Sequence, residues 1–339
     1  MAILRAPASA PSGALPGATR TAAILGIASY VPDEIITNAH LEAMVDTSDA
    51  WILERTGIRE RRKVSSGMTT SIMAAEAGRR AMAAAGVDSV DALIVATVSP
   101  DTPLPSTACL VQRRMGLGGI PAFDIAAACA GFVYGVTIAR GLIGSSPHMN
   151  RVLVIAGDAL TSLIDYKDRS TCVLFGDGAG AAVIGVSDDG GIESAQWGAD
   201  GSGADLIYYG PKAGEEDGEN GLRMYGKGTF RLGVERMAEA AREVCAEAGW
   251  ALEDVDLLVP HQANLRIIEA VAKRLSMPLD RVVINIDRYG NTSGASIPIA
   301  LAEAVATGRV RQGDRIVCIA FGSGVVWGGI ALRWIAPTQ

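Results

Sequence analysis

Four stretches of the chain are almost wholly apolar: "ALIVATV" from Ala92, "VLVIAG" from Val152, "LLVP" from Leu257 and "IVCIA" from Ile316. Short continuous runs of this kind read as strands covered on both faces. Between them lie Ala-rich segments with helical spacing, "MAAEAGRRAMAAAG" from Met73 and "MAEAAREVCAEAG" from Met237, each stopped by glycine. Strands alternating with helices predict right-handed crossovers and mostly parallel sheets.

The pattern repeats itself. The Met73 and Met237 helices each run into an Asp-containing lead and an apolar strand, with Val90 and Val255 offset by 165 residues. "RVLVIAG" from Arg151 matches "RIVCIAF" from Arg315 at an offset of 164, and Asp124 matches Asn285 at 161. Glycine turns then lead into a last apolar strand in both halves, "FGDGAGAAVIG" at Phe175 and "FGSGVVWGGIAL" at Phe321. The predicted organisation is a tail (1–20), a first half (21–190) and a second half (191–339). Two such halves packed together make a duplicated α/β/α/β/α five-layered body, with its cleft between the halves where strands end.

Composition narrows the classes. The chain has 339 residues, 49% of them hydrophobic, enough to bury a large core without disulfides. Its five cysteines are odd in number, scattered and without a CxxC pair. This points to a reducing cytoplasm and away from a disulfide framework or a zinc cluster. A net charge of −7 gives no footprint for nucleic acid. No uninterrupted apolar run reaches the roughly 18 residues of a membrane span. The first twenty residues are rich in Ala, Pro, Ser and Gly and lack the apolar core of a secretory signal.

Three places could carry chemistry. In "DIAAACAGFVYG" a strand delivers Cys129 to the start of a helix. The helix dipole and free N–H groups there favour a thiolate, so a lowered thiol pKa is expected. Taken alone, a cysteine is more often plain core, and Cys109, Cys172, Cys245 and Cys318 keep that reading. Of three histidines, His40 and His148 fall in polar surroundings, whereas His261 follows the strand "VDLLVP" directly. That is a strand-end position, although a satisfied core histidine is the competing reading. "YGNTSGASIP" is by itself an ordinary polar turn. By the repeat it partners the Cys129 turn, and Asn291 falls close to the image of the cysteine.

"DIAAACAGF", "PHQAN" and "GNTSGASIP" together resemble the three active-site motifs of the β-ketoacyl-acyl-carrier-protein synthase III family, thiolase-fold enzymes that start bacterial fatty-acid synthesis. "DTSDAWILERTGIRERR", "FGDGAGAAV" and "FGSGVVWGG" extend the likeness over about residues 21 to 335. The resemblance implies a thiolase-like fold and an acyl-cysteine intermediate on Cys129, formed from a primer acyl-CoA. Its oxyanion would meet the N–H groups of Cys129 and Ser323. Malonyl-acyl carrier protein would then lose CO₂ and condense, with His261 and Asn291 donating to its thioester carbonyl. It further implies Phe321 as a gate, Trp51 and Arg169 around the CoA adenine, and Arg55 near its phosphates. Asn264 and Lys227 correspond to pantetheine positions, Lys227 standing where the family usually has asparagine. Leu104 replaces a phenylalanine on a loop that crosses a homodimer into the partner's acyl pocket, and Ser323 replaces a glycine. No metal or redox cofactor is implied; acyl-CoA and malonyl-carrier protein are substrates.

Arg266, Lys273 and Arg274 share one helical face beside His261, and Arg231 matches a family position near the cleft mouth. On an acidic chain they form a candidate docking rim for acyl carrier protein, against the plainer reading of a solvated charged face. Three rival readings remain. "GDGAG" could serve a nucleotide-binding module, but no helix pattern follows it. A thiolase would use a second cysteine near the C-terminal glycines, where Cys318 instead reads as core. A related condensing enzyme or acyltransferase of secondary metabolism would carry the same three motifs.

Overall fold

The computed structural model describes residues 20–210 and 220–335. The tail proposed for residues 1–20 lies outside the described residues except for Arg20. Arg20 is anchored: its guanidinium donates to the carbonyls of Ser146 and Met149 and to Asn150.

Two sheets form the frame. The first has the order Ala22–Tyr30, Gly178–Val186, Arg151–Asp158, Ala92–Ala96, Ala122–Ile125. The second has the order Ile192–Ala199, Val326–Arg333, Arg315–Gly322, Leu257–Pro260. Read strand for strand, these are one design used twice. The missing fifth strand survives as a parallel bridge between Leu258 and Val282.

The expectation of mostly parallel sheets needs correction. Only the pairs built by βαβ crossovers are parallel, namely Ala92–Ala96 with its two neighbours and Leu257–Pro260 with Arg315–Gly322. The remaining pairs are antiparallel. The glycine turn after Gly322 is too short for a crossover, so the chain reverses on itself.

Alternation along the strands shows why the runs are continuously apolar. Ala92, Ile94 and Ala96 join a core with Phe132, Val136 and Ile297, while Leu93 and Val95 join another with Met73, Ala77 and Ala81. The first core fills the space between the sheets. It contains the central helices Gly131–Ser145 and Ser296–Ala306. The helices Thr70–Ala84 and Gly226–Glu247 cover the two outer faces. The result is helix, sheet, helix, sheet, helix. One stretch among the described residues, Ala128–Ser145, is long and apolar enough to cross a membrane by length and composition. It includes this central helix, packed between two sheets.

Candidate active site

Cys129 sits in a single 3₁₀ turn, Ala128–Ala130, between a sheet strand and the helix Gly131–Ser145. Ala128 is held at φ 43°, a left-handed conformation that costs a non-glycine residue on the order of 1 kcal/mol. Small residues are needed all around it. A Cβ on Gly131 would lie 2.8 Å from Ala96 Cβ, and one on Gly322 would lie 2.7 Å from the Cys129 nitrogen. Gly322 is thereby packed directly against the cysteine turn.

The same turn recurs at Ser293–Ala295, with Ser293 at φ 53°. Ala128 and Ser293 are thus equivalent at an offset of 165, which makes Gly294 the image of Cys129 and puts Asn291 three residues earlier. Asn291 is locked from both sides. Its N–H donates to the Leu174 carbonyl at 2.8 Å and its carbonyl accepts from Gly176 at 3.0 Å. Its Oδ1 accepts the Ser293 N–H at 2.9 Å, which leaves Nδ2 as the donor toward the site.

His261 follows the strand Leu257–Pro260, and its N–H donates to the Ile319 carbonyl at 2.8 Å. Its Nδ1 lies 2.7 Å from Ser296 Oγ, and that oxygen also accepts the Gln262 N–H at 3.2 Å. With one N–H already arriving, the hydroxyl proton fits Nδ1, and the ring proton then falls on Nε2. Burial lowers the His261 pKa to about 3. The ring is therefore a neutral donor rather than a cation.

These side chains line one cavity of about 380 Å³ between the halves, shared by Cys129, His261, Asn291, Ser293, Phe321 and Ser323. Its other walls are largely apolar, including Val98, Leu160, Ile207, Met224 and Met237. Phe321 is buried on the cavity wall, beside Gly233 of the outer helix. The Ser323 backbone is not left-handed. Positive φ falls on Gly324 and Val325, so a serine is tolerated at this position. Its hydroxyl donates to the Ile207 carbonyl.

The expected lowering of the Cys129 pKa is overturned. Burial pushes the thiol up to about 12, the Asp158 carboxylate adds to the rise, and a hydrogen bond with Ser293 opposes it. The helix N-terminus is in place, but Cys129 is half-buried among alanines and glycines, which strips water from a thiolate and favours the thiol. The resting sulfur therefore carries its proton.

A protonated thiol, two neutral donors and a largely apolar cavity suit acyl transfer to sulfur followed by stabilisation of an enolate. The profile of 3-oxoacyl-[acyl-carrier-protein (ACP)] synthase III matches residues 123–201, and that of its C-terminal part matches residues 245–334. The β-ketoacyl-[acyl-carrier-protein] synthase III of Roseiflexus castenholzii is 49% identical over 326 residues, covering 93% of this chain and 98% of its own. The chain belongs to the synthase III family. The crystal structure of the Aquifex aeolicus synthase III superposes with a TM-score of 0.88 at 44% identity, covering 92% of this chain and 100% of its own. The priming β-ketosynthase of the R1128 polyketide pathway superposes at 0.90 and 37% identity, covering 97% and 100%.

Among the positions that the synthase III family suggests for CoA, the structure brings Trp51, Arg55 and Arg169 together. The Arg169 guanidinium lies 4.8 Å from the Trp51 ring centroid and that of Arg55 lies 5.9 Å from it. A base stacked between Trp51 and Arg169 needs about twice a van der Waals contact, roughly 7 Å. The 4.8 Å between Arg169 and Trp51 is narrower than that, and the Arg169 guanidinium also donates to the Asp46 carbonyl at 2.8 Å. Asn264 lines the cavity, but its amide is committed. It caps the helix Leu265–Arg274 through the Arg266 N–H and donates to the Arg55 carbonyl. Lys227 is exposed in the first turn of the helix Gly226–Glu247. Arg231, Arg266, Lys273 and Arg274 are all exposed. Leu104 is 84% exposed and does not line the cavity of its own chain.

Two of the rival readings, the nucleotide-binding module and the thiolase, lose their footing on packing. In "GDGAG", a Cβ on Gly176 would meet the Tyr289 carbonyl at 2.4 Å and one on Gly180 would meet Pro298 at 2.7 Å. These glycines serve close packing, and Asp177 is occupied by Thr161 and Val64. Cys318 is fully buried within its strand, as a core cysteine should be. Cys109 departs from the core reading: it is exposed, because its helix packs through Thr107, Ala108 and Val111 on the other face. Ser293, Ser296 and Asp158 escaped the sequence reading. The two serines lie inside the quoted "GNTSGASIP" motif, and Asp158 ends a sheet strand, the position that drew attention to His261.

Proposed function

We propose that this protein condenses a primer acyl-CoA with malonyl-acyl carrier protein, releasing CO₂ and CoA and giving a β-ketoacyl-carrier protein that starts fatty-acid synthesis. Cys129 attacks the acyl-CoA and holds the acyl group as a thioester. Backbone N–H groups of Cys129 and Ser323 receive the developing oxyanion. His261 Nε2 and Asn291 Nδ2 donate to the thioester carbonyl of malonyl-carrier protein as the enolate forms. Phe321 gates the cavity, with Trp51, Arg55, Arg169, Lys227 and Asn264 along the path of CoA or pantetheine. The observation that carries this reading is the shared cavity of Cys129, His261 and Asn291.

Acyl carrier protein docks on the basic rim of Arg231, Arg266, Lys273 and Arg274. The protein works as a cytoplasmic homodimer. Support for the dimer comes from the strand Ala122–Ile125, which is paired on one side only, and from the exposed Phe123 and Leu104. The division at about residue 190 separates the two copies of the repeat.

The experiment is intact-mass spectrometry after incubation with a panel of acyl-CoAs, followed by addition of malonyl-carrier protein. An acyl adduct on Cys129 that disappears as β-ketoacyl-carrier protein forms supports the reading. No adduct with any acyl-CoA contradicts it. A second reading, priming of a polyketide pathway, is favoured by the match to the R1128 ketosynthase. Condensation with a polyketide carrier protein much faster than with the fatty-acid carrier protein would select it.

A further inference from the structure

Asn291 is only as fixed as the chain it is clamped to. Its backbone N–H and carbonyl pair with Leu174 and Gly176. Residues 173–176 lie between the helix Arg169–Cys172 and the strand Gly178–Val186 and belong to neither. What holds them is Arg61, which is 1% exposed and whose guanidinium serves two stretches of chain. Nη2 donates to the Val173 carbonyl at 2.6 Å, and Nη1 donates to Asn38 Oδ1 at 2.8 Å and to the Ile36 carbonyl at 3.3 Å. Asn38 is itself oriented, since its Nδ2 donates to the Ile58 carbonyl and to Asp49 Oδ1, each at 2.8 Å. The stem of Arg61 packs against the clamp. A Cβ on Gly176 would lie 3.0 Å from Arg61 Cβ, and one on Gly290 would lie 3.1 Å from it. Gly176 donates to Asn291, and Gly290 precedes it. The neighbouring backbone completes the cradle. Arg59 N–H donates to the Asp287 carbonyl, and Asp177 N–H donates to the Arg62 carbonyl, each at 2.9 Å.

We propose that Arg61 is a positioning residue for Asn291, holding residues 173–176 and the turn at Gly290 so that the Asn291 amide keeps its aim. This inference rests on the proposed role of Asn291 in decarboxylation. Arg61 is not part of the cavity wall and acts through the clamp.

A buried cation is costly, and the acceptors that Arg61 meets are all neutral. Its Nε has no partner among the described residues. Burial lowers its pKa to about 10, so it stays charged at neutral pH. An apolar side chain of similar length would fill the space without that cost. It would not tie residues 36–38 to Val173, a task for several donors on one rigid plane. The Cys129 turn has separate supports, with Gly131 packed on Ala96 and Gly322 on the turn itself. Loss of Arg61 should therefore fall on the second half-reaction.

The test is a double-mutant cycle between Arg61→Met and Asn291→Ala, with both half-reactions measured on each protein. Alone, Arg61→Met should lower kcat for CO₂ release from malonyl-carrier protein by about tenfold, because a small misplacement of a catalytic group is costly. KM should stay within about twofold, and self-acylation at saturating acyl-CoA within about threefold. In the Asn291→Ala background, Arg61→Met should slow decarboxylation by less than about twofold, since the group it positions is gone. Arg61→Lys keeps a charged donor without the rigid fork and should lose only about threefold. If Arg61→Met does not fold, Arg61→Lys takes its place in the cycle with the same readouts. An arginine that merely supports the fold would lower both half-reactions together and add its full cost to Asn291→Ala. Either result overturns the inference, as does a wild-type rate of decarboxylation in Arg61→Met. Wild-type protein that releases no CO₂ from malonyl-carrier protein would overturn the proposed function and this inference with it. Normal wild-type release, with an Arg61→Met loss that persists without Asn291, overturns this inference alone.

Discussion

Two turns pack against each other at the floor of the cavity, Ala128–Ala130 and Ser293–Ala295. Each begins with a non-glycine residue forced to positive φ, and each launches a central helix. Their side chains have parted company. The first offers a thiol at its middle position, where the second has glycine. The second is preceded by a locked asparagine amide and opens on a hydroxyl, where the first has only alanines. Duplication supplied two copies of a strained backbone, and the chemistry was divided between them. On the proposed function, one turn takes the acyl group and its image holds the carbonyl of the second substrate.

The division can be broken from either side. Cys129→Ser should abolish the acyl adduct and lower condensation by at least about 10³-fold, because an alcohol with no strong base beside it is a poor nucleophile. Intact mass reads the adduct directly, and an undiminished adduct would move the nucleophile elsewhere. His261→Ala should leave most self-acylation intact while slowing malonyl-carrier decarboxylation by about 10²-fold, the usual scale for an oxyanion donor. Measuring both half-reactions on one preparation separates these outcomes.

Smaller effects sharpen the contrast between the catalytic floor and the rim. Arg266→Glu should lower kcat/KM for malonyl-carrier protein by about tenfold at low salt and less at high salt. Acylation by small acyl-CoA should barely change. Equal losses with both substrates would place Arg266 in the fold or the CoA path. Acid stability gives the smallest effect. His261 has its pKa lowered by burial to about 3, against about 6.5 when unfolded. The unfolded chain therefore binds the extra proton first, so this group costs stability as pH falls below about 6.5. The fall in Tm from neutral pH to about pH 5 should be shallower in His261→Ala than in wild type, and parallel slopes would contradict it.

Much of this was legible before the structure. Near-constant offsets between apolar runs announced two copies of one sheet, because covered strands must be apolar on both faces. Cys129, His261 and Asn291 were found because each stands where a strand or a repeat ends. The relation of Ser296 to His261, 35 residues apart, could not be read. Such hydrogen bonds depend on how two halves close on each other, and serines and aspartates are common wherever chains turn. The protonated state of Cys129 was also misread. The helix N-terminus is visible in sequence, but how far the sulfur is buried is a property of packing.

The most direct measurement of the divided site is Asn291→Ala carried through both half-reactions. Self-acylation by acyl-CoA, read as adduct mass on Cys129, should proceed at close to the wild-type rate. Release of CO₂ from malonyl-carrier protein should fall by about 10²-fold. Acylation lost in step with decarboxylation, or decarboxylation left unchanged, would contradict the account.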